Sequence, residues 1–70
     1  MQNYLTIFIN GSPFNCDSSM SLNDILNYLD ININLVIIEY NHSIVEKQNF
    51  NSLYFRNNDS IEVISIVGGG

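Results

Sequence analysis

Alanine and tryptophan are absent from this 70-residue chain, and cysteine and proline occur once each. A single cysteine, Cys16, cannot close an internal disulfide, so a reducing compartment is the simpler expectation. Two bases, Lys47 and Arg56, stand against seven acids, giving a net charge of −5. Nucleic-acid binding needs clustered Lys and Arg against phosphates, so no nucleic-acid partner is expected. No apolar run nears the roughly 20 residues of a membrane-spanning helix, and no membrane association is expected. The N-terminus lacks the basic-then-apolar pattern of a signal peptide. There is no Cys/His grouping at metal-ligand spacing, no Ser/His/Asp grouping arguable from spacing and no phosphate-cradling glycine loop. The expectation is therefore no metal, no bound cofactor and no catalytic residue.

What remains is rich in Asn and Ile, with 46% hydrophobic residues. Asn, Ile, Tyr and Phe share AT-rich codons, which points to an AT-rich genome such as an organelle's or an AT-rich bacterium's. Seventy residues make one small domain, burying about 60% of the surface its unfolded chain exposes. The net negative charge suits a partner with a basic docking surface, through electrostatic steering.

Leu5, Ile7 and Ile9 alternate with Tyr4, Thr6 and Phe8, the period of a strand. Asn10-Gly11 follows, a strong hairpin signal, and Phe14 and Cys16 then alternate through a second short strand. Pro13 suits the start or edge of that strand. Ser21 opens a helix. Its hydroxyl can cap the amide of Asp24, whose carboxylate can reach back, and Met20 can pack on Ile25 as a staple. Leu22, Ile25, Leu26 and Leu29 make one apolar helix face. The continuous run Leu35-Val36-Ile37-Ile38 reads as a strand covered on much of both faces. Asn41-His42-Ser43 turns the chain, and Ile44-Val45 can pair back. Residues 46–56 show no clean period, with Phe50, Leu53 and Phe55 expected to plug the core. Asn57 to Ser60 is turn chemistry, and Ile61 to Val67 alternates as a last strand. This order predicts an α+β domain of ubiquitin-like β-grasp type, a mixed sheet of four to five strands with one main helix packed across one face. The domain is expected over 1–67, with a flexible glycine tail over 68–70.

Three of the four glycines are Gly68, Gly69 and Gly70, directly after that last strand. Side-chain-free residues can thread a channel too narrow for others, and three of them extend about 10 Å. Such a tail can hand its terminal carboxylate to another protein's active site. If Leu5, Ile7, Ile9, Ile61 and Val63 face the helix, then Phe8, Ile64 and Ile66 face away from it. With Val67 they are candidate partner-docking residues, gathered as an apolar patch near the tail. Cys16 is expected to be a buried structural thiol, His42 a solvated turn residue, and Asp24 a helix cap.

The chain resembles the sulfur carrier proteins of thiamine biosynthesis, the ThiS family. The likeness runs through the strand into Asn10-Gly11, the helix with Leu26 and Leu29, Val36 to Val45, Asn58-Asp59-Ser60-Ile61-Glu62-Val63 and Val67-Gly68-Gly69-Gly70. Phe50 takes a place usually held by Trp. His42 and Asn58 stand where the family has Gly, Glu46 where Pro is common and Lys47 where Arg is common. The resemblance implies that an E1-like (ThiF-like) adenylating enzyme uses ATP to activate the Gly70 carboxylate. A persulfide sulfur donor then converts it to a thiocarboxylate, which thiazole synthase (ThiG-like) consumes. The chain would be a protein co-substrate rather than an enzyme, in the cytoplasm, or in the plastid stroma if organelle-encoded. The molybdopterin-synthase small subunit uses the same tail chemistry. A ubiquitin-like modifier and a non-catalytic binding module are further alternatives.

Overall fold

A computed structural model describes residues 3–66. Five strands form one mixed sheet in the order β2-β1-β5-β3-β4. The strands are β1 (Tyr4–Ile9), β2 (Ser12–Asp17), β3 (Val36–Tyr40), β4 (Ser43–Val45) and β5 (Ser60–Ser65), with a single α-helix, α1 (Leu22–Tyr28), between β2 and β3. β1 and β5 lie side by side and parallel, while the β1–β2, β3–β4 and β3–β5 pairs are antiparallel. This is the β-grasp arrangement expected from the order of the elements.

The turns explain the strand pairing. Asn10 and Gly11 both take positive φ, 51° and 83°, as the mirror-image two-residue hairpin turn requires. Asn41 and His42 do the same between β3 and β4, at 47° and 74°. His42 thus occupies a left-handed position that glycine would fill without strain. Asn58 is also left-handed, at 72°.

Helix α1 starts with a complete capping box. The Asp24 amide donates to Ser21 Oγ (3.2 Å) and the Ser21 amide donates to the Asp24 carboxylate (3.0 Å). Leu22, Ile25 and Leu26 are fully buried and meet Ile7, Cys16, Ile38 and Ile61 from the sheet. Phe50 and Phe55 complete this core. The irregular stretch that carries them packs at the start of the helix: the Leu22 amide donates to the Leu53 carbonyl (2.8 Å), and the Asn23 amide to the Phe50 carbonyl (3.0 Å). Its one regular piece is a 3₁₀ turn over Lys47–Asn49.

One expectation needs correction. The run Leu35 to Ile38 is not covered on both faces. Leu35 belongs to a 3₁₀ turn, Ile33–Leu35, whose start is capped by the Asn32 side chain accepting from the Asn34 amide at 2.9 Å. Ile38 points into the core at 0% exposure, whereas Ile37, on the other face, is 39% exposed. Both the helix and the irregular segment pack on the Ile38 side, so the described chain supplies no second layer for the Ile37 side.

Candidate functional site

The last strand is held differently along its length. At its start, hydrogen bonds reach it from both neighbours. The Phe8 amide donates to the Asp59 carbonyl (2.8 Å), the Asn10 amide to the Ile61 carbonyl (2.9 Å), and the Asn41 amide to the Ser60 carbonyl (3.0 Å). The Asp59 carboxylate gathers three donors: Tyr40 Oη (2.6 Å), the Arg56 amide (2.8 Å) and Asn41 Nδ2 (3.5 Å). The bond to Asp59, and then burial, raises the Tyr40 phenol above its ordinary value. The Tyr40 ring also meets Phe55 edge-on, with centroids 5.7 Å apart.

β1 ends at Ile9, opposite Ile61, so β5 runs on past its parallel neighbour. The Asn10 side chain fills the next position. Its Oδ1 accepts from the Val63 amide (2.7 Å) and its Nδ2 donates to the Val63 carbonyl (3.3 Å). One residue therefore both makes the first hairpin turn and clamps the strand that leads to the chain's end. On the other side β3 accompanies β5 throughout, from Tyr40↔Ile61 to Val36↔Ser65, and the Ile66 amide donates to the Leu35 carbonyl (3.0 Å).

The register decides what stands on the open face of the sheet. Ile37 is directly opposite Ile64, and Leu35 is bonded to Ile66. All four are exposed, Ile64 at 42% and Ile66 at 53%, and they form an aliphatic ladder running toward the glycines. Ile44 on β4, 62% exposed, is opposite Glu39, and Glu39 is opposite Glu62. Phe8 lies on the same face but at the other end of β5. Its partner is Ser60, four residues and about 13 Å from Ile64, and it is partly buried. The structure thus brings Ile64 and Ile66 together and separates Phe8 from them. Leu35 and Ile37, expected in a covered strand, take its place. Val67, Gly68, Gly69 and Gly70 lie outside the described residues, as does the boundary between domain and tail.

The other residues singled out from sequence fall elsewhere. Cys16 is buried at 3% exposure, and burial, then the nearby Asp17 carboxylate, pushes its thiol up from the ordinary value, away from the reactive thiolate. It borders a cleft of ≈ 220 Å³ with Tyr4, Phe14, Asp17, Met20 and Tyr28, on the far edge of the sheet from β3. His42 is exposed in its turn, and Asp24 is the helix cap. Among the described residues, no group of three or more His, Cys, Asp or Glu side chains assembles as a metal site. None of the described helices is long and apolar enough to cross a membrane.

Comparisons with known proteins agree with this architecture. The model of the ThiS family matches residues 7–70. The ycf40 protein of Trieres chinensis is 45% identical over 65 residues, covering 93% of this chain and 89% of that relative. A crystal structure of thiamine biosynthesis protein ThiS from Geobacter metallireducens superposes with a TM-score of 0.79 at 25% identity, over 94% of this chain and 100% of that one. Thiazole synthase of Magnetococcus marinus contains a stretch 29% identical over 66 residues, 94% of this chain but 20% of that protein.

Proposed function

The chain belongs to the ThiS family, and from that membership we propose that it is a sulfur carrier serving thiazole formation in thiamine biosynthesis. The observation that carries this reading is the extent of the family match, which runs through the final residue, Gly70. A carboxylate is a poor electrophile. A ThiF-like enzyme would join the Gly70 carboxylate to AMP from ATP and release pyrophosphate. The terminal sulfur of a persulfide donor would then attack the acyl carbon and displace AMP, and a thiol would cleave the remaining S–S bond. Gly70 is left as a thiocarboxylate, the form in which thiazole synthase takes the sulfur.

In this scheme the chain's own residues present the tail. β3 and the Asn10 clamp fix the direction in which β5 leaves the sheet. The aliphatic ladder along β5 gives the partner enzymes an apolar seat that includes Ile64 and Ile66, with Val67 a further candidate contact from its place in the sequence. Phe8 would touch only a partner that also covers the start of β5. The chain needs no metal or cofactor of its own, ATP being used by the partner. Its buried, protonated Cys16 is poorly suited to carrying the sulfur. The thiamine branch is favoured over molybdopterin synthesis because a similar stretch occurs within proteins named thiazole synthase. The AT-rich composition and the algal ycf40 relatives favour the plastid stroma as the compartment.

Intact-protein mass spectrometry tests the reading on the chain incubated with its adenylating enzyme, ATP and a sulfur source. A gain of about 16 Da on Gly70, sulfur for oxygen, is expected, with fragmentation separating it from oxidation of Met1, Met20 or Cys16, which adds nearly the same mass. An unmodified Gly70 beside a demonstrably active enzyme would remove the proposal.

A further inference from the structure

We propose that the enzyme activating Gly70 recognises the open sheet face through two kinds of group at once. It would hold the ladder Leu35, Ile37, Ile64 and Ile66 on an apolar surface, and it would place an arginine guanidinium against the carboxylate pair Glu39 and Glu62. The inference rests on the carrier reading above and adds to it the chemistry and orientation of the partner.

Glu39 and Glu62 are register partners on neighbouring strands, on the same face as Ile37 and Ile64. Strands in a sheet lie about 4.7–4.9 Å apart. Like charges directly opposite disfavour the pairing. Neither carboxylate has a hydrogen-bond or ion-pair partner among the described residues. Of the chain's two bases, Lys47 Nζ donates to Asn34 Oδ1 (2.7 Å), and Arg56 lies in the loop before Asp59, outside β3 and β5. Within the described chain, then, the pair brings a cost and no contact that offsets it. A planar guanidinium with a fork of donors can bridge two such carboxylates, whereas a lysine ammonium is a point charge.

Apolar contact is non-directional, so the ladder alone would leave a partner free to dock in either sense along β5. The carboxylates mark one end of the ladder and the tail leaves from the other. Glu62 precedes Ile66 by four residues, about 13 Å along the strand. Extended, the four residues after Ile66 would span about 13–14 Å more. The adenylating centre would then lie beyond Ile66 from the guanidinium, in the direction in which β5 runs.

The test is steady-state adenylation of the full chain by its cognate enzyme, followed as pyrophosphate release. For E39Q/E62Q the expected result is a KM for the carrier raised about tenfold with kcat within about twofold, and a much weaker salt dependence than wild type. Thermal melting of the variant should be unchanged or higher, since a like-charge pair has been removed, which sets the effect apart from a folding defect. D17N/D30N removes the same amount of charge outside β3 and β5 and should leave KM near wild type. Equal shifts in both double variants would reduce the effect to net charge and overturn the proposal. So would an unchanged KM and salt dependence in E39Q/E62Q while wild type is adenylated, a result that leaves the carrier reading standing. Tighter self-association of E39Q/E62Q, seen by sedimentation, would make the face a dimer surface and also overturn it. Wild type that is never adenylated would remove both readings together.

Discussion

The two faces of the central sheet are built from the same kinds of residue and used in opposite ways. Along β3, Ile38 is fully buried and its neighbour Ile37 is 39% exposed; along β5, Ile61 is fully buried and Ile64 is 42% exposed. The buried set meets Leu22, Ile25 and Leu26 of the helix. Among the described residues the open set is paired with itself, in register across two strands. Burial of an aliphatic side chain is worth about 1.5–3 kcal/mol, so one face accounts for the stability of the domain. The other leaves Leu35, Ile37, Ile64 and Ile66 exposed and adds little to it.

Mutations on the two faces should therefore separate folding from recognition. Ile38→Ala should cost about 2–5 kcal/mol through lost burial and a cavity, much of the stability of so small a domain, as denaturant unfolding would show. A loss below about 1 kcal/mol would mean that the two faces are less distinct than their exposures suggest.

Tyr40→Phe lies between these extremes, because Tyr40 points to the helix side but bonds to Asp59 in the loop before β5. About 1 kcal/mol should be lost at neutral pH. The sign of its pH dependence follows from the raised phenol. The folded chain holds that proton more tightly than the unfolded one. The stabilisation is therefore complete below the unfolded value, about 10, and is lost as pH rises through the folded value. Alkaline melting curves of wild type should show this loss and those of Tyr40→Phe should lack it.

Ile64→Ser should give the smallest change in stability, within about 0.5 kcal/mol, since its side chain is already open to water. Its effect should fall on the partner instead, with capture by the adenylating enzyme weakened about tenfold or more in a direct binding titration. A variant that unfolds the domain while leaving capture per folded molecule intact would reverse the assignment of the two faces.

The local signals in the sequence were enough for most of the fold. Asn10-Gly11 set the first hairpin, Ser21 and Asp24 made the capping box, and the spacing of Leu22, Ile25 and Leu26 gave the buried helix face. Each of these depends on residues within a few positions of one another. What the sequence did not reveal depends on distance. A four-residue apolar run does not say whether one or two of its faces will be covered, so the exposure of Ile37 could not be read from it. The offset between Phe8 and Ile64 follows from the parallel register of β1 against β5, which no local pattern encodes. The Asn10 clamp on Val63 spans 53 positions and looks, in sequence, like an ordinary turn residue. The pairing of Glu39 with Glu62 is of the same kind, since 22 intervening positions hide it. The three terminal glycines were conspicuous in the sequence from the start, and they lie outside the described residues.

The parallel placement of β5 beside β1 also has a mechanical consequence. A load applied at the end of β5, in the direction in which the chain runs, pulls along the axis of that strand. The hydrogen bonds from β3 stand perpendicular to that axis, and those from β1 and the Asn10 side chain flank the same strand. Such a load shears many bonds at once instead of peeling them one by one. A domain of this size is thereby braced against a pull along its last strand, the direction in which that strand is held on both sides.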